Sequence, residues 1–262
     1  MSERRLDGRV AVVTGGSSGI GRGVALRLAA EGASVVVADL QEGPREGGTP
    51  THVAIEDAGG RATYVRTDVA DAADAASCVD AAVSAFGGLH IAFCGAGVTS
   101  PIADTTDIEL GEWNRHIAVN LTGSFLVAQA ALRRFVQERY GRIVLVSSTS
   151  GMVGVARTAA YCASKAAVIG LGRALAAEYG RHGITVNVLC PGATNTAMGV
   201  RYRSDPDVLA DMRRMTPLRL DGADGIVAEP ADIAGAAAYM VSDEARFMTG
   251  SCLVIDGGLT TV

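Results

Sequence analysis

The sequence lacks the features that mark several whole classes of protein. No apolar run approaches the roughly 18 residues that a membrane-spanning helix requires, because Gly, Ser or a charge interrupts every hydrophobic stretch first. The amino end, residues 1–9, is charged and has no apolar segment, so it does not read as a secretory signal. There is no excess of positive charge: 23 Lys and Arg stand against 28 Asp and Glu, a formal net charge of −5. That balance leaves no basic footprint for nucleic acid. Cysteine is sparse and scattered, at 78, 94, 162, 190 and 252, with no CxxC pair. The spacing argues against a disulfide framework and against a zinc site, so no metal is expected and a reducing, cytoplasmic setting is the simpler reading. Glycine is plentiful, at 33 residues, but has no triplet period, which excludes collagen. The remaining composition, 48% hydrophobic, 19% charged and 5% aromatic over 262 residues, fits a soluble globular chain able to bury a sizeable core.

Short apolar, β-branched runs recur at residues 10–14, 34–39, 62–66, 89–94, 142–147, 184–190 and 251–255. They are continuously apolar rather than alternating, which predicts strands buried on both faces. Helical periodicity fills the gaps: Ile20, Val24 and Leu28 recur every four residues, as do Ala75, Val79 and Val83. Longer helices are predicted over 121–136 and 161–179. Alternating strands and helices imply a single α/β domain with a Rossmann-type, doubly wound parallel sheet of about seven strands and helices on both faces. Two segments break the alternation. Residues 41–50 carry Gly43, Pro44, Gly47, Gly48 and Pro50, which is turn chemistry, with a short helix restarting at Thr51 and ending by Gly59 and Gly60. Residues 193–230 read as a long polar connection, of the kind that forms a substrate-binding loop or lid.

The first strand runs into Gly15-Gly16-Ser17-Ser18-Gly19-Ile20-Gly21, and a helix begins near Gly19. Glycine lets backbone turn sharply and approach a pyrophosphate, while the helix start offers unpaired N–H groups and partial positive charge. The second strand ends in Asp39, 18 residues after Gly21. A carboxylate there can accept the adenosine ribose hydroxyls and would repel a 2′-phosphate. Neither Leu40 nor Ser18 supplies a charge for that phosphate, and Arg22 is expected to point along the helix.

Tyr161 and Lys165 are four residues apart on a predicted helix and share a face. Ser148 ends the fifth predicted strand, where an open α/β sheet has its ligand crevice. A phenol is a poor base near neutrality, but an ammonium beside it favours the phenolate and makes proton exchange with an alcohol or ketone oxygen feasible.

In combination these motifs resemble the short-chain dehydrogenase/reductase family, in its branch of roughly 250-residue chains. The likeness covers about residues 5–259 and rests on Thr14-Gly15-x-x-x-Gly19-Ile20-Gly21, Asp68-Val69, Asn120, Ser148, Tyr161-x-x-x-Lys165, Asn187-x-x-x-Pro191-Gly192 and Asp256-Gly257-Gly258. The resemblance implies Tyr161 as acid/base, Lys165 as its tuner and as the holder of the nicotinamide ribose, and Ser148 as the hydrogen-bond partner of the substrate oxygen. It implies a proton relay through Asn120, adenine contacts from Asp68 and Val69, and a nicotinamide end lined by Pro191, Gly192, Thr194 and Thr196. Gly95 and Ala96 would turn beside the adenosine ribose. The family usually has Asn-Asn-Ala-Gly after its fourth strand, whereas this chain has Cys94-Gly95-Ala96-Gly97, which removes two amide side chains that would brace the sheet. About half a dozen extra residues around 221–227 and the turn-rich 41–50 segment are further additions.

Other residues read as structural. His52, His90, His116 and His182 have no ligand spacing and are taken as surface or hydrogen-bonded residues. Cys162 is a packing or pocket-wall residue rather than a nucleophile. Leu209, Met212 and Met215 could touch an apolar substrate or pack a lid helix, and Arg201, Arg203, Arg213 and Arg214 read as a solvated face. The expected function is NAD-dependent hydride transfer between nicotinamide and a secondary alcohol or ketone of sugar, polyol, steroid or cyclic type, by a homotetramer, with NAD preferred over NADP. The alternative is a 3-oxoacyl-thioester reductase using NADPH, for which Asp39 is the wrong residue. A non-catalytic cofactor-binding regulator would not need the complete proton-transfer set. A sugar-nucleotide epimerase or dehydratase would need a separate substrate domain.

Overall fold

The computed structural model describes residues 4–99, 102–204, 206–220 and 225–261. Seven parallel strands form one sheet in the order β3-β2-β1-β4-β5-β6-β7. They are β1 (Val10–Thr14), β2 (Ser34–Asp39), β3 (Arg61–Arg66), β4 (Ile91–Cys94), β5 (Gly141–Val146), β6 (Ile184–Pro191) and β7 (Cys252–Ile255). Each expected run is a strand: β1 and β2 match to the residue, and the ends of the other five shift by one or two residues. The helices are α1 (Gly19–Ala30), α2 (Thr51–Asp57), α3 (Ala72–Phe86), α4 (Leu110–His116), α5 (Ser124–Glu138), α6 (Ala159–Tyr179), α7 (Ala197–Arg203), α8 (Pro206–Met215) and α9 (Pro230–Val241).

Strand β1 explains why the runs are continuously apolar. Val10 and Val12 point into a core with buried residues of α3, α5 and α6, such as Ala75, Val127 and Val168. Ala11 and Val13 point into a second core with Val24, Leu28 and Ile233 of α1 and α9. Both faces are therefore covered, and successive side chains are all withdrawn from water. Local chemistry sets the helix ends. Asp71 accepts from Ala73 N and Asp74 N at the start of α3, and Gly87 closes it at φ 85°. Pro230 opens α9 inside a capping box formed by Glu229 and Asp232.

Two departures from the expected elements bear on the site. The helix predicted to begin at Leu121 starts a full three turns earlier, and α4 and α5 are joined by a π-helical stretch, Ile117–Gly123. Such widened turns are frequent at functional sites, and Asn120 sits at the middle of this one. The connection at 193–230 is not an open loop either, since it contains α7 and α8. The segment 221–224 within it lies outside the described residues, as do the side chains of Arg201 and Arg203.

The order of strands reverses between β1 and β4, which opens a crevice at their carboxyl ends. Thr14, 1% exposed, ties the two loops together there. Its Oγ1 donates to Phe93 O (3.4 Å) and accepts from Gly95 N (3.1 Å) and Ala96 N (3.3 Å). This hydroxyl braces the turn in which the two expected amide side chains are missing. A side chain at 95 has no room, because its Cβ would lie 2.5 Å from Phe93 Cε1, and Cys94 instead fills core space at 1% exposure. Thr14→Val keeps the shape but leaves two N–H groups without an acceptor. It should cost about 1–3 kcal/mol in urea unfolding, and an unchanged midpoint would contradict the bracing role.

Candidate active site

The loops after β1 and β4 meet so closely that only glycine fits. Gly15 adopts φ +69°, and a Cβ on it would lie 2.9 Å from Ala96 N. A Cβ on Gly21 would collide with the Gly15 carbonyl, so α1 can begin directly under the turn. The result is a backbone cradle over the amino end of α1, open enough for a pyrophosphate. At its rim Asp39 is locked by accepting from Ser17 N (3.1 Å). Ser17 itself is fully buried and lies behind the cavity wall, so its backbone positions the carboxylate. Arg22 does not run along the helix as expected but donates to Thr51 Oγ1 at the start of α2 (2.9 Å).

One cavity of about 690 Å³ runs from this cradle across the sheet ends. Its walls contain Gly15, Ser18, Gly19, Ile20 and Gly21 of the first turn, and Asp39 and Leu40 at the second strand end. Asp68, Val69, Gly95 and Ala96 continue the wall, and Pro191, Gly192, Thr194 and Thr196 follow β6. Ser148, Tyr161 and Lys165 stand in the same cavity. Val155, Met198, Val208 and Met212 make an apolar wall drawn from the loop before α6 and from α7 and α8. Met212 thus faces the cavity, while Leu209 and Met215 are half-buried on α8 outside its lining, and Arg213 and Arg214 are exposed.

The turn after β5 orients Ser148. Its backbone is extended, and its Oγ accepts from Ser150 N (3.1 Å), capping a single turn, Thr149–Gly151. The hydroxyl is then aimed with its own O–H available to donate. That turn also seats α6: Ser147 Oγ donates to Lys165 O (2.8 Å), and a Cβ on Gly151 would strike the same carbonyl.

Lys165 is the only lysine in the chain; the other 22 basic residues are arginines. It is 4% exposed, donates to Val146 O (2.9 Å), and has its Nζ 5.8 Å from the centre of the Tyr161 ring. Burial pulls its ammonium down to about 8. Asn120, fully buried, lies behind this pair. Its Oδ1 accepts from Val98 N (2.8 Å), and its Nδ2 donates to Val98 O (3.1 Å) and Ser164 Oγ (3.0 Å). It clamps the loop after β4 to α6, beside Lys165.

Sequence reasoning missed three residues at the site, one behind the cavity wall and two in it. His116 is fully buried, its Nδ1 2.7 Å from Glu112 O, and its ring meets the Tyr161 ring edge-on at 6.5 Å. A histidine without ligand spacing gives no signal for such a contact. Arg45 and Glu46, in the turn-rich segment, also line the cavity; composition marked that segment as a turn but not its direction. Three thiols are unsuited to nucleophilic chemistry, since burial pushes Cys78 and Cys190 up to about 12 and raises Cys94 as well. Among the described residues no group of His, Cys, Asp and Glu is arranged to hold a metal, and no helix is long and apolar enough to cross a membrane.

Known proteins resemble this chain along nearly its whole length. A family profile described as enoyl-(acyl carrier protein) reductase matches residues 15–260. The chain is 41% identical to a 2,5-dichloro-2,5-cyclohexadiene-1,4-diol dehydrogenase of Sphingobium indicum, over 97% of each chain. It is 40% identical to a cis-4-hydroxycyclohexanecarboxylate dehydrogenase of Sinomonas cyclohexanicum, again over 97% of each, and to 3beta-hydroxysteroid dehydrogenase 1 of Eggerthella lenta, over 97% of this chain and 95% of that one. In structure it matches a proposed NAD(P)-dependent gluconate 5-dehydrogenase from Beutenbergia cavernae, crystallised with NADP at low occupancy, with TM-score 0.90, 34% identity and full coverage of both chains. The chain belongs to the short-chain dehydrogenase/reductase family and is an oxidoreductase.

The buried ammonium makes stability depend on pH. Between about 8, where folded Lys165 loses its proton, and about 10.4, where an unfolded lysine does, the unfolded chain binds more protons and folding strengthens as pH rises. Below that window the cost of burying the charge is fully present. Cofactor-free wild type should therefore gain on Lys165→Met, by on the order of 5 °C in Tm, between pH 7 and 10. A difference that stays flat across that range would contradict a depressed Lys165.

Proposed function

We propose that the protein transfers hydride between NAD and a secondary alcohol or ketone on a largely apolar, cyclic carbon skeleton. The observation that carries this reading is the single cavity that joins a glycine cradle for pyrophosphate to Ser148, Tyr161 and Lys165. The residues of the cradle fit a dinucleotide: close-packed glycines, a helix amino end and a fixed carboxylate at the second strand end. A nicotinamide cofactor supplies the hydride acceptor or donor. This chain supplies orientation, charge and a proton path.

In the oxidative direction Ser148 donates a hydrogen bond to the substrate oxygen, and Tyr161, as phenolate, takes the hydroxyl proton while the carbon gives up hydride. In the reductive direction Tyr161 returns that proton to the developing alkoxide. Lys165 favours the phenolate through its charge, and the low-polarity surroundings that depress the lysine also strengthen its pull on the tyrosine. Asn120 acts behind them, holding the loop at Val98 so that Lys165 keeps its position, and it would lead the proton onward from Lys165. The apolar wall of Val155, Met198, Val208 and Met212 favours an apolar skeleton. The names of the relatives, which include dehydrogenases of cyclohexane and steroid alcohols, support the same class.

The test of chemistry is Tyr161→Phe, assayed on a panel of cyclic, steroid, polyol and sugar alcohols by NADH absorbance. Removing one hydroxyl should lower turnover by at least about 10²–10⁴-fold while leaving NAD affinity nearly intact. Retention of most turnover on a wild-type substrate would overturn the acid/base role. For the cofactor, Asp39 would bring its charge against a 2′-phosphate, so NAD should bind much more tightly than NADP. Asp39→Ala with Leu40→Arg should move the preference toward NADP in direct titration, and equal wild-type affinities would sink the assignment.

A further inference from the structure

The turn-rich segment 41–50 does more than connect β2 to α2. Arg45 N donates to Ser18 Oγ in the glycine turn (2.8 Å). The next residue, Glu46, accepts from Ala197 N at the start of α7 through its Oε1 (3.0 Å). The same Oε1 lies 3.8 Å from where a Cβ on Gly19 would stand, and Thr196 approaches that point to 2.9 Å. Ser18, Gly19, Arg45, Glu46, Thr196 and Ala197 all line the one cavity. Two adjacent residues thus bridge the phosphate turn to the lid, and they bring a carboxylate over the amino end of α1.

We propose that Glu46 is an internal anion that clasps the lid in the cofactor-free enzyme and opposes entry of the dinucleotide, whose pyrophosphate must displace it. The inference rests on the reading of the cradle as a pyrophosphate site. Glu46 is exposed, so its bond to Ala197 is a weak one in contact with water and opens readily. A pyrophosphate at Gly19 puts negative charge a few ångströms from the Glu46 carboxylate, and cofactor binding and clasp closure then oppose each other by the same factor. Coulomb repulsion at that distance in partly screened surroundings amounts to roughly a three- to tenfold penalty in affinity.

The test is NADH titration, by fluorescence, of wild type, Glu46→Gln, Glu46→Ala and Glu42→Gln. Glu42 lies in the same segment, 3.5 Å from His52 and outside the cavity lining, so its variant removes equal charge away from the cradle. Both Glu46 variants should bind NADH about three- to tenfold more tightly, with Glu42→Gln unchanged. Without NADH, hydrogen exchange should speed up at residues 196–199 in Glu46→Ala but not in Glu46→Gln, which keeps an acceptor. Equal or weaker NADH binding by Glu46→Gln, an equal gain in Glu42→Gln, or unaltered exchange in Glu46→Ala would each overturn the clasp. A wild type that binds no NADH would instead overturn the dinucleotide site itself.

Discussion

The group on which the rest of the site depends is one buried ammonium. Lys165 is removed from water and donates to a backbone carbonyl, Val146 O. Burying a charge is expensive unless neighbouring dipoles offset it or the group gives up its proton, and here burial pulls the lysine down to about 8. The surrounding structure is built to hold it in spite of that cost. Ser147 and Gly151 dock the helical turn that carries it, and Asn120 pins the facing loop. In a chain that otherwise uses arginine for every basic position, lysine stands at the one place where a compact, titratable charge is needed. A guanidinium would be larger and could not release its proton.

The sheet supplies the second constraint. Its strand order reverses between β1 and β4, and the two loops leaving those strands share the hydroxyl of Thr14 and the close contact of Gly15 with Ala96. The cradle and Ser148 therefore hang from adjacent carboxyl ends of one sheet, β1, β4 and β5, and α6 sets Tyr161 and Lys165 beside them, while α7 and α8 bring the apolar wall from outside. The arrangement separates the two tasks. Backbone geometry fixes the glycine cradle, and the wall carried by α7 and α8 can vary without disturbing that frame.

Much of this was legible in the amino-acid order. Continuous apolar runs such as 10–14 marked strands buried on both faces, and the spacing of Tyr161 and Lys165 put them on one helical face. Four features were not legible, each because it depends on contacts distant in sequence. The start of α4 at Leu110 and the widened turn around Asn120 are set by packing against α6. Residues 193–230 looked like polar connection because α8 buries no residue fully and only half-buries a narrow stripe, with Val208 and Met212 toward the cavity. Replacement of two amides by Cys94 and Gly95 looked like a loss of bracing, but Thr14 holds the turn and the ring of Phe93 occupies the space a side chain at 95 would need. Arg45 and Glu46 carried no spacing that pointed to the cavity, and His116 none that pointed to the Tyr161 ring.

Because the chain has one lysine, its side chain can be read without assignment. Protein grown with ¹³C,¹⁵N-lysine should give a single Cε resonance, whose shift is followed against pH in the cofactor-free enzyme. The account predicts one titration with a midpoint near 8, set by burial. A midpoint at the ordinary lysine value, about 10.4, would contradict it: Lys165 would then be a solvated surface charge, and the depressed, buried ammonium that organises the site would not exist.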